Sequence, residues 1–158
     1  MFKPILLQLD GYVTAERANK LGMALEIAEH QLNSPEFKEW FLAQKFTQLG
    51  EMAEKTQAEM YDRLMQPVMF NYHLKKKSFW KRFTSVIGWR ADDRNTKGDD
   101  IYTYIDRYDF MSVSDLSSHL AHELSHSLGF DHAVNWSAER DFSAPYQIGN
   151  YVSKHGSV

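Results

Sequence analysis

The stretch HELSHSLGFDH, from His122 to His132, carries the side chains best suited to chemistry in this sequence. Histidines stand at positions 122, 126 and 132, with a glutamate at position 123. Because residues four apart lie one turn apart on a helix, the imidazoles of His122 and His126 can reach a single ion. Glu123 lies about 100° round the helix from His122, too far to share the ion but close enough to reach a water bound to it. The stretch therefore predicts a metal site with a general base.

Gly129 and His132 extend this prediction beyond the helix. A third ligand after the helix must turn back towards the metal, and glycine accepts the positive φ that a sharp turn needs. Three neutral imidazoles leave a fourth position for water, and Zn²⁺ lowers the pKa of such a water to about 7. The sequence has no cysteine, so His, Asp, Glu or carbonyl groups must hold any metal.

Two simpler interpretations of the same stretch remain open. One is an amphipathic structural helix with incidental histidines. The other is a structural zinc site, which more often closes its fourth position with a protein ligand and does not need Glu123.

HELSHSLGFDH matches the pattern HExxHxxGxxH, and so it resembles the zinc signature of the metzincin clan of metallopeptidases. The resemblance implies that His122, His126 and His132 bind Zn²⁺, with Glu123 as general base and proton shuttle. It also implies a zinc-dependent endopeptidase that hydrolyses peptide bonds with metal-activated water. The motif-level match covers only about residues 115–150.

The resemblance also implies a sheet before the active-site helix, with an antiparallel edge strand that binds an extended peptide. SVIGWRA (Ser85–Ala91) is the candidate edge strand, and GDDIYTYID (Gly98–Asp106) is the next strand in. Backbone groups on an open edge can pair with a peptide substrate. The alternative is that either segment is an ordinary core strand.

The sequence departs from the clan after the third histidine. Metzincins have a methionine turn beneath the metal, but no methionine follows Met111 here. SAPYQIG (Ser143–Gly149) stands in that region, where Pro145 can make the turn and Tyr146 can stand near the zinc and stabilise an oxyanion. The alternative for Tyr146 is a packed aromatic residue whose hydroxyl bonds a backbone group.

The surrounding elements predict an α+β fold in a single domain. Residues 1–66 are expected to be mainly helical, residues 67–129 to form a small mixed twisted sheet and the active-site helix, and residues 130–158 to form a short C-terminal subdomain. The predicted helices run from Thr14 to about Leu32, from Ser34–Pro35 onwards, from about Glu51 to Met65, and from Asp115 to about Leu128. The predicted strands are Val68–Leu74, Thr84–Arg90 and Ile101–Asp106.

Composition limits the other classes of function. The sequence has 158 residues, 43% of them hydrophobic, and a formal net charge of −3, so nothing demands a nucleic-acid or membrane partner. The basic stretch LKKKSFWKRF (Leu74–Phe83) is interpreted as a solvated strand end or loop; the alternative is a nucleic-acid-associated protein that uses this stretch to contact phosphates. We see no signal peptide and expect a cytoplasmic protein, although export is not excluded. The oligomeric state is not predicted.

Other functions stay open at this point. The same metal ligands would serve a zinc-binding interaction module without peptidase activity, or a zinc amidase acting on cell-wall peptides. His119 shares the face of His122 and His126. We interpret it as a spare exposed histidine rather than a group that supports the site, because three ligands already suffice.

Overall fold

A computed structural model describes residues 1–47, 50–76, 96–97, 100–133 and 137–156, which form an α+β structure. The strands are β1 (Lys3–Gly11), β2 (Pro67–Lys75), β3 (Thr96–Lys97) and β4 (Asp100–Tyr104). The helices are α1 (Ala15–Leu32), α2 (Pro35–Ala43), α3 (Gln57–Leu64), α4 (Ile105–Phe110), α5 (Val113–Ser127) and α6 (Ala144–His155). Two short 3₁₀ turns lie at Gly50–Met52 and Arg140–Phe142.

The sheet is mixed, as predicted, with the order β1-β2-β4-β3. β1 and β4 both pair with β2 in parallel, and β3 pairs antiparallel with β4. The interpretation of the first 66 residues as mainly helical missed β1. Lys3 and the residues after it pair with Pro67 and the start of β2, far along the chain.

The starts of α1 and α2 confirm the predicted caps. The Thr14 side chain accepts a hydrogen bond from the Arg17 amide, and the Ser34 side chain accepts one from the Phe37 amide. The predicted helix from Glu51 was wrong at its start. α3 begins only at Gln57, because Thr56 and Glu59 form a capping box that fixes the first turn there.

Two boundaries near the predicted site also differ. β4 ends at Tyr104, so Ile105 begins α4 rather than continuing the strand. Asp115 does not cap the next helix. Ser112 caps α5, and the Asp115 carboxylate accepts a hydrogen bond from the Ser112 amide, which is again a capping box.

α5 lies at the centre of the core, and the four leucines on its apolar face are all at most 3% exposed: Leu116, Leu120, Leu124 and Leu128. The last helix joins the same core, since Ile148 and Val152 are fully buried. The Tyr151 ring packs edge-on against Phe37, with ring centroids 5.0 Å apart. α6 therefore forms one side of the core and packs against α5.

Some predictions fall on residues that the structure does not describe. The strand Thr84–Arg90, the candidate peptide-binding edge Ser85–Ala91 and most of the basic stretch Leu74–Phe83 lie outside the described residues. Among the helices of the described part, none combines the length and the apolar character needed to cross a membrane.

Candidate metal centre

Three imidazoles converge in the structure, and they belong to the three histidines predicted as ligands. The Nε2 atom of His126 lies 3.3 Å from that of His122 and 3.2 Å from that of His132. The Nε2 atoms of His122 and His132 are also 3.2 Å apart. The three nitrogens thus form a nearly equilateral triangle, and the grouping is one that can hold a metal ion.

The hydrogen bonds made by the opposite nitrogen of each ring determine whether Nε2 carries a hydrogen or a lone pair. His126 Nδ1 lies 2.8 Å from the Phe130 carbonyl oxygen, and His132 Nδ1 lies 3.0 Å from the Ala133 carbonyl oxygen. His122 has a backbone hydrogen bond to Pro145, and because proline has no N–H, its carbonyl must be the acceptor. A carbonyl only accepts, so each Nδ1 carries the hydrogen and each neutral ring keeps its lone pair on Nε2.

Three lone pairs within 3.3 Å of one another repel, because none of the Nε2 atoms can donate a hydrogen bond to another. A cation at the centre turns this repulsion into coordination. Tetrahedral coordination with metal–nitrogen distances of about 2.0–2.1 Å separates the ligand nitrogens by about 3.3–3.4 Å. The observed triangle fits that requirement, and backbone carbonyls commonly orient metal-binding histidines in this way.

The turn after α5 brings His132 to the other two rings, as predicted. Gly129 has φ +95°, a conformation that residues with a Cβ rarely adopt. A Cβ at Gly129 would also lie 3.1 Å from Met52 Cε. The chain therefore reverses immediately after the helix, and His132 is delivered 8% exposed beside His122.

The N-terminal half of the chain supports this turn directly, which the sequence did not indicate. Arg63 Nε, on α3, donates a hydrogen bond to the Leu128 carbonyl at the end of α5, at 2.9 Å. The turn at Gly50 approaches Asp131 so closely that a Cβ there would lie 2.6 Å from Asp131 Cβ. Asp131 is exposed, and its carboxylate accepts a hydrogen bond from the His132 amide at 2.7 Å.

Glu123 lies on the inner side of α5 and is only 3% exposed. Its carboxylate is 3.8 Å from His119 Nδ1, and it is near enough to His132 for its charge to act on the pKa of that ring. It is not among the three residues whose atoms converge. Glu123 is thus a buried carboxylate close to the three imidazoles but outside their triangle.

His119 is not the exposed histidine that we predicted. Its side chain is 14% exposed, and its Nε2 atom lies 3.3 Å from the Thr103 hydroxyl on β4. The sequence could not show this contact, because it depends on how β4 packs against α5.

Tyr146 stands beside the histidines, on the first turn of α6. Its ring centroid is 4.6 Å from that of His122 and 4.9 Å from that of His132. Its hydroxyl accepts a hydrogen bond from the Arg140 guanidinium, which also lies over the ring at 4.9 Å. The alternative partner expected for the hydroxyl was a backbone group, and Arg140 was missed because nothing local in the sequence marks it.

Pro145 and Tyr146 belong to a helix start rather than to a turn beneath the metal. α6 approaches α5 closely at Gly149, where a Cβ would lie 3.0 Å from the Ser118 carbonyl oxygen and 3.4 Å from His122 Cβ. Ser118 is itself a small residue, and this also permits the close approach. The glycine lets α6 carry Tyr146 and the Pro145 carbonyl up to His122.

Comparison with protein-family models, curated proteins and solved structures gives no match to this chain. The metzincin resemblance therefore rests on the sequence motif alone.

Acid is expected to destabilise the metal-free protein. Burial lowers the pKa of His122 well below its ordinary value, and the neighbouring imidazoles lower it further; burial also lowers the pKa of His132. Below about pH 6.5 these two histidines become protonated in the unfolded chain but stay neutral in the folded protein. The free energy of unfolding should therefore decrease as the pH is lowered, by at most about 1.4 kcal/mol per pH unit for each group.

Urea denaturation of the metal-free protein at pH 7.5, 6.5 and 5.5, at constant ionic strength, measures this slope. The His122→Ala variant is the matched comparison and should have a shallower slope, because one of the two groups is gone. Equal slopes for the two proteins would contradict the assignment.

Proposed function

We propose that this protein is a zinc-dependent endopeptidase that uses His122, His126 and His132 as metal ligands and Glu123 as general base. The observation that carries the proposal is the triangle of three Nε2 lone pairs, 3.2–3.3 Å apart, with a buried carboxylate next to it. In a structural helix with incidental histidines, three lone pairs facing one point would only repel one another, so this arrangement would not be expected.

The donor set favours zinc over harder cations. Neutral imidazoles suit Zn²⁺ and other late transition metals, whereas Mg²⁺ and Ca²⁺ prefer oxygen ligands. Within the described part of the chain the converging group has three members. Three protein ligands with a free fourth position are typical of catalytic zinc, and four protein ligands are typical of structural zinc.

The chemistry divides between the ion and the side chains. Bound Zn²⁺ supplies Lewis acidity, which polarises the scissile carbonyl and makes water acidic near neutral pH. Glu123 accepts the proton of the attacking water and passes it to the leaving amine, so that one group serves as base and then as acid. Tyr146, held by Arg140, donates a hydrogen bond to the developing oxyanion.

A zinc-binding module without peptidase activity would need the same three histidines. The buried Glu123 favours the enzyme, because metal-activated hydrolysis uses a carboxylate beside the ion as general base and a binding module needs none. A zinc amidase acting on cell-wall peptides shares the geometry, and only its substrates would separate it.

Metal removal tests the proposal. The purified protein is analysed for metals, stripped with a chelator, reloaded with zinc, and incubated at each stage with a mixed peptide library and with cell-wall peptides. We expect one zinc per chain, cleavage at internal peptide bonds by the loaded protein, no cleavage after stripping, and recovery on reloading.

Each other outcome has a definite meaning. Zinc binding without cleavage of either substrate set would favour the interaction module, and cleavage of the cell-wall peptides alone would favour the amidase. Failure to bind zinc at micromolar concentrations would leave only a structural helix.

A further inference from the structure

A line of polar side chains runs from the interior of the sheet to Glu123. The Tyr72 hydroxyl on β2 donates a hydrogen bond to Thr103 Oγ1 on β4, at 2.8 Å. Thr103 Oγ1 lies 3.3 Å from His119 Nε2, and His119 Nδ1 lies 3.8 Å from the Glu123 carboxylate. Tyr72 and Thr103 are at most 1% exposed, and Glu123 is 3% exposed. The line therefore runs through the protein interior.

The direction of the hydrogen bonds follows from the donors and acceptors. Burial raises the pKa of Tyr72 far above its ordinary value, so its hydroxyl stays protonated and donates to Thr103. The Thr103 hydrogen is then available to His119 Nε2. A ring that accepts at Nε2 carries its hydrogen on Nδ1, and Nδ1 is the atom that faces Glu123.

The opposite arrangement is unfavourable. If His119 donated from Nε2 to Thr103, the lone pair of Nδ1 would face the Glu123 carboxylate, which when ionised is only an acceptor. Two acceptors facing each other in a buried site repel. The 3.8 Å separation is about 1 Å longer than a hydrogen bond, so the observed contact is a charge–dipole approach that must shorten for His119 to donate to Glu123.

Tyr72, Thr103 and His119 are not among the three residues whose nitrogens converge. A histidine that only filled space beside α5 would not need a buried hydroxyl fixing one nitrogen while the other faced the general base. In many enzymes a nucleophile is activated by a base, and a third group orients that base through a hydrogen bond; the arrangement here is similar. It differs because here the oriented group is the carboxylate.

We propose that Tyr72 and Thr103 hold His119 with its hydrogen on Nδ1, and that His119 positions the Glu123 carboxylate for proton transfer. His119 is thus a positioning residue for Glu123. This inference rests on the proposed function, since it concerns how the general base of that reaction is oriented.

Three substitutions of His119 test the positioning by kinetics. His119→Phe removes both ring nitrogens and should lower kcat by about 10–100-fold with little change in KM, the size of effect usual for supporting partners of a site. The amide nitrogen of His119→Asn falls near the position of Nδ1, whereas that of His119→Gln falls near Nε2. We therefore expect His119→Asn to keep more of the wild-type kcat than His119→Gln.

Controls separate positioning from folding. His30→Asn makes the same change at an exposed histidine on α1 and should leave kcat unchanged. Zinc stoichiometry and thermal unfolding identify any variant that fails to fold. In a Glu123→Ala background, His119→Phe should reduce kcat by less than 2-fold more, because the group it positions is gone. Full additivity of the two losses would overturn the proposal.

A measurement without catalysis tests the hydrogen position. Long-range ¹H–¹⁵N NMR of histidine-labelled, zinc-loaded protein distinguishes the two neutral tautomers of His119. We expect Nδ1–H in the wild type and a shift towards Nε2–H in Thr103→Val. Nε2–H in the wild type would overturn the proposal.

The two proposals fail in different ways. A wild-type protein that binds zinc and cleaves no peptide, yet shows Nδ1–H at His119, would overturn the endopeptidase and leave the oriented carboxylate standing. Active wild type with kcat unaffected by His119→Phe would overturn the positioning alone.

Discussion

Replacement of Glu123 by alanine is expected to lower kcat by about 10³-fold or more, while one zinc ion per chain remains bound. A factor of 10³ corresponds to about 4 kcal/mol of activation free energy. The expected retention of metal follows from the geometry: the three converging nitrogens belong to histidines, and Glu123 is not part of that group. Few other substitutions in this protein should separate activity from metal content so cleanly.

Glu123→Gln refines the same experiment. Glutamine keeps the shape and the hydrogen-bonding capacity of the buried side chain but cannot accept the proton at neutral pH, so its loss of kcat should approach that of Glu123→Ala. Glu26→Gln, on an exposed position of α1, is the matched control and should behave as the wild type. Elemental analysis, kcat and the midpoint of thermal unfolding are measured on all four proteins. Substantial peptidase activity in Glu123→Gln would refute the role of general base.

Replacement of His132 by alanine is expected to lower zinc affinity by more than about 100-fold. Groups that merely support a metal ligand are worth about 10–100-fold in affinity, and His132 is itself one of the three ligands. The two histidines that remain are one turn apart on α5, so they still present a weak two-ligand site. Competition with a chromophoric chelator measures the affinity of each protein for zinc.

The loss of stability caused by His132→Ala should be larger in the zinc-loaded protein than in the metal-free protein. In the zinc-loaded protein the wild type is stabilised by binding, by about 2.7 kcal/mol when free zinc is one hundred times the dissociation constant. The variant loses most of this gain. In the metal-free protein the substitution removes one of three facing lone pairs, which offsets part of the lost packing of a ring that is 8% exposed.

His155→Ala, on the exposed end of α6, is the control for His132→Ala and should leave both zinc affinity and the gain in stability on zinc binding unchanged. If His132→Ala gained as much stability from zinc as the wild type does, His132 would not be a ligand. The peptidase proposal would then lose its third imidazole.

Much of the site was predictable because its information is local. His122 and His126 face one point because of helical periodicity, and Gly129 allows the reversal that returns His132 because it has no Cβ. The predicted starts of α1 and α2 were confirmed for the same reason, since a capping side chain bonds an amide only three residues away. Ser112 was missed as a cap because Asp115, three residues on, is an equally good candidate in a sequence.

The features that the sequence did not reveal depend on residues far apart in the chain. β1 forms a strand because β2 lies beside it, and the register between them joins residues more than sixty positions apart. Arg63 donates a hydrogen bond to the end of α5, and Arg140 donates one to Tyr146. Thr103 lies within hydrogen-bonding distance of His119. All three contacts form only when the helices and the sheet pack together. Helical spacing by itself predicted that His122 and His126 face one point, whereas the partners of Tyr146 and His119 were decided by tertiary packing, because those contacts join separate elements and leave no periodic pattern in the sequence.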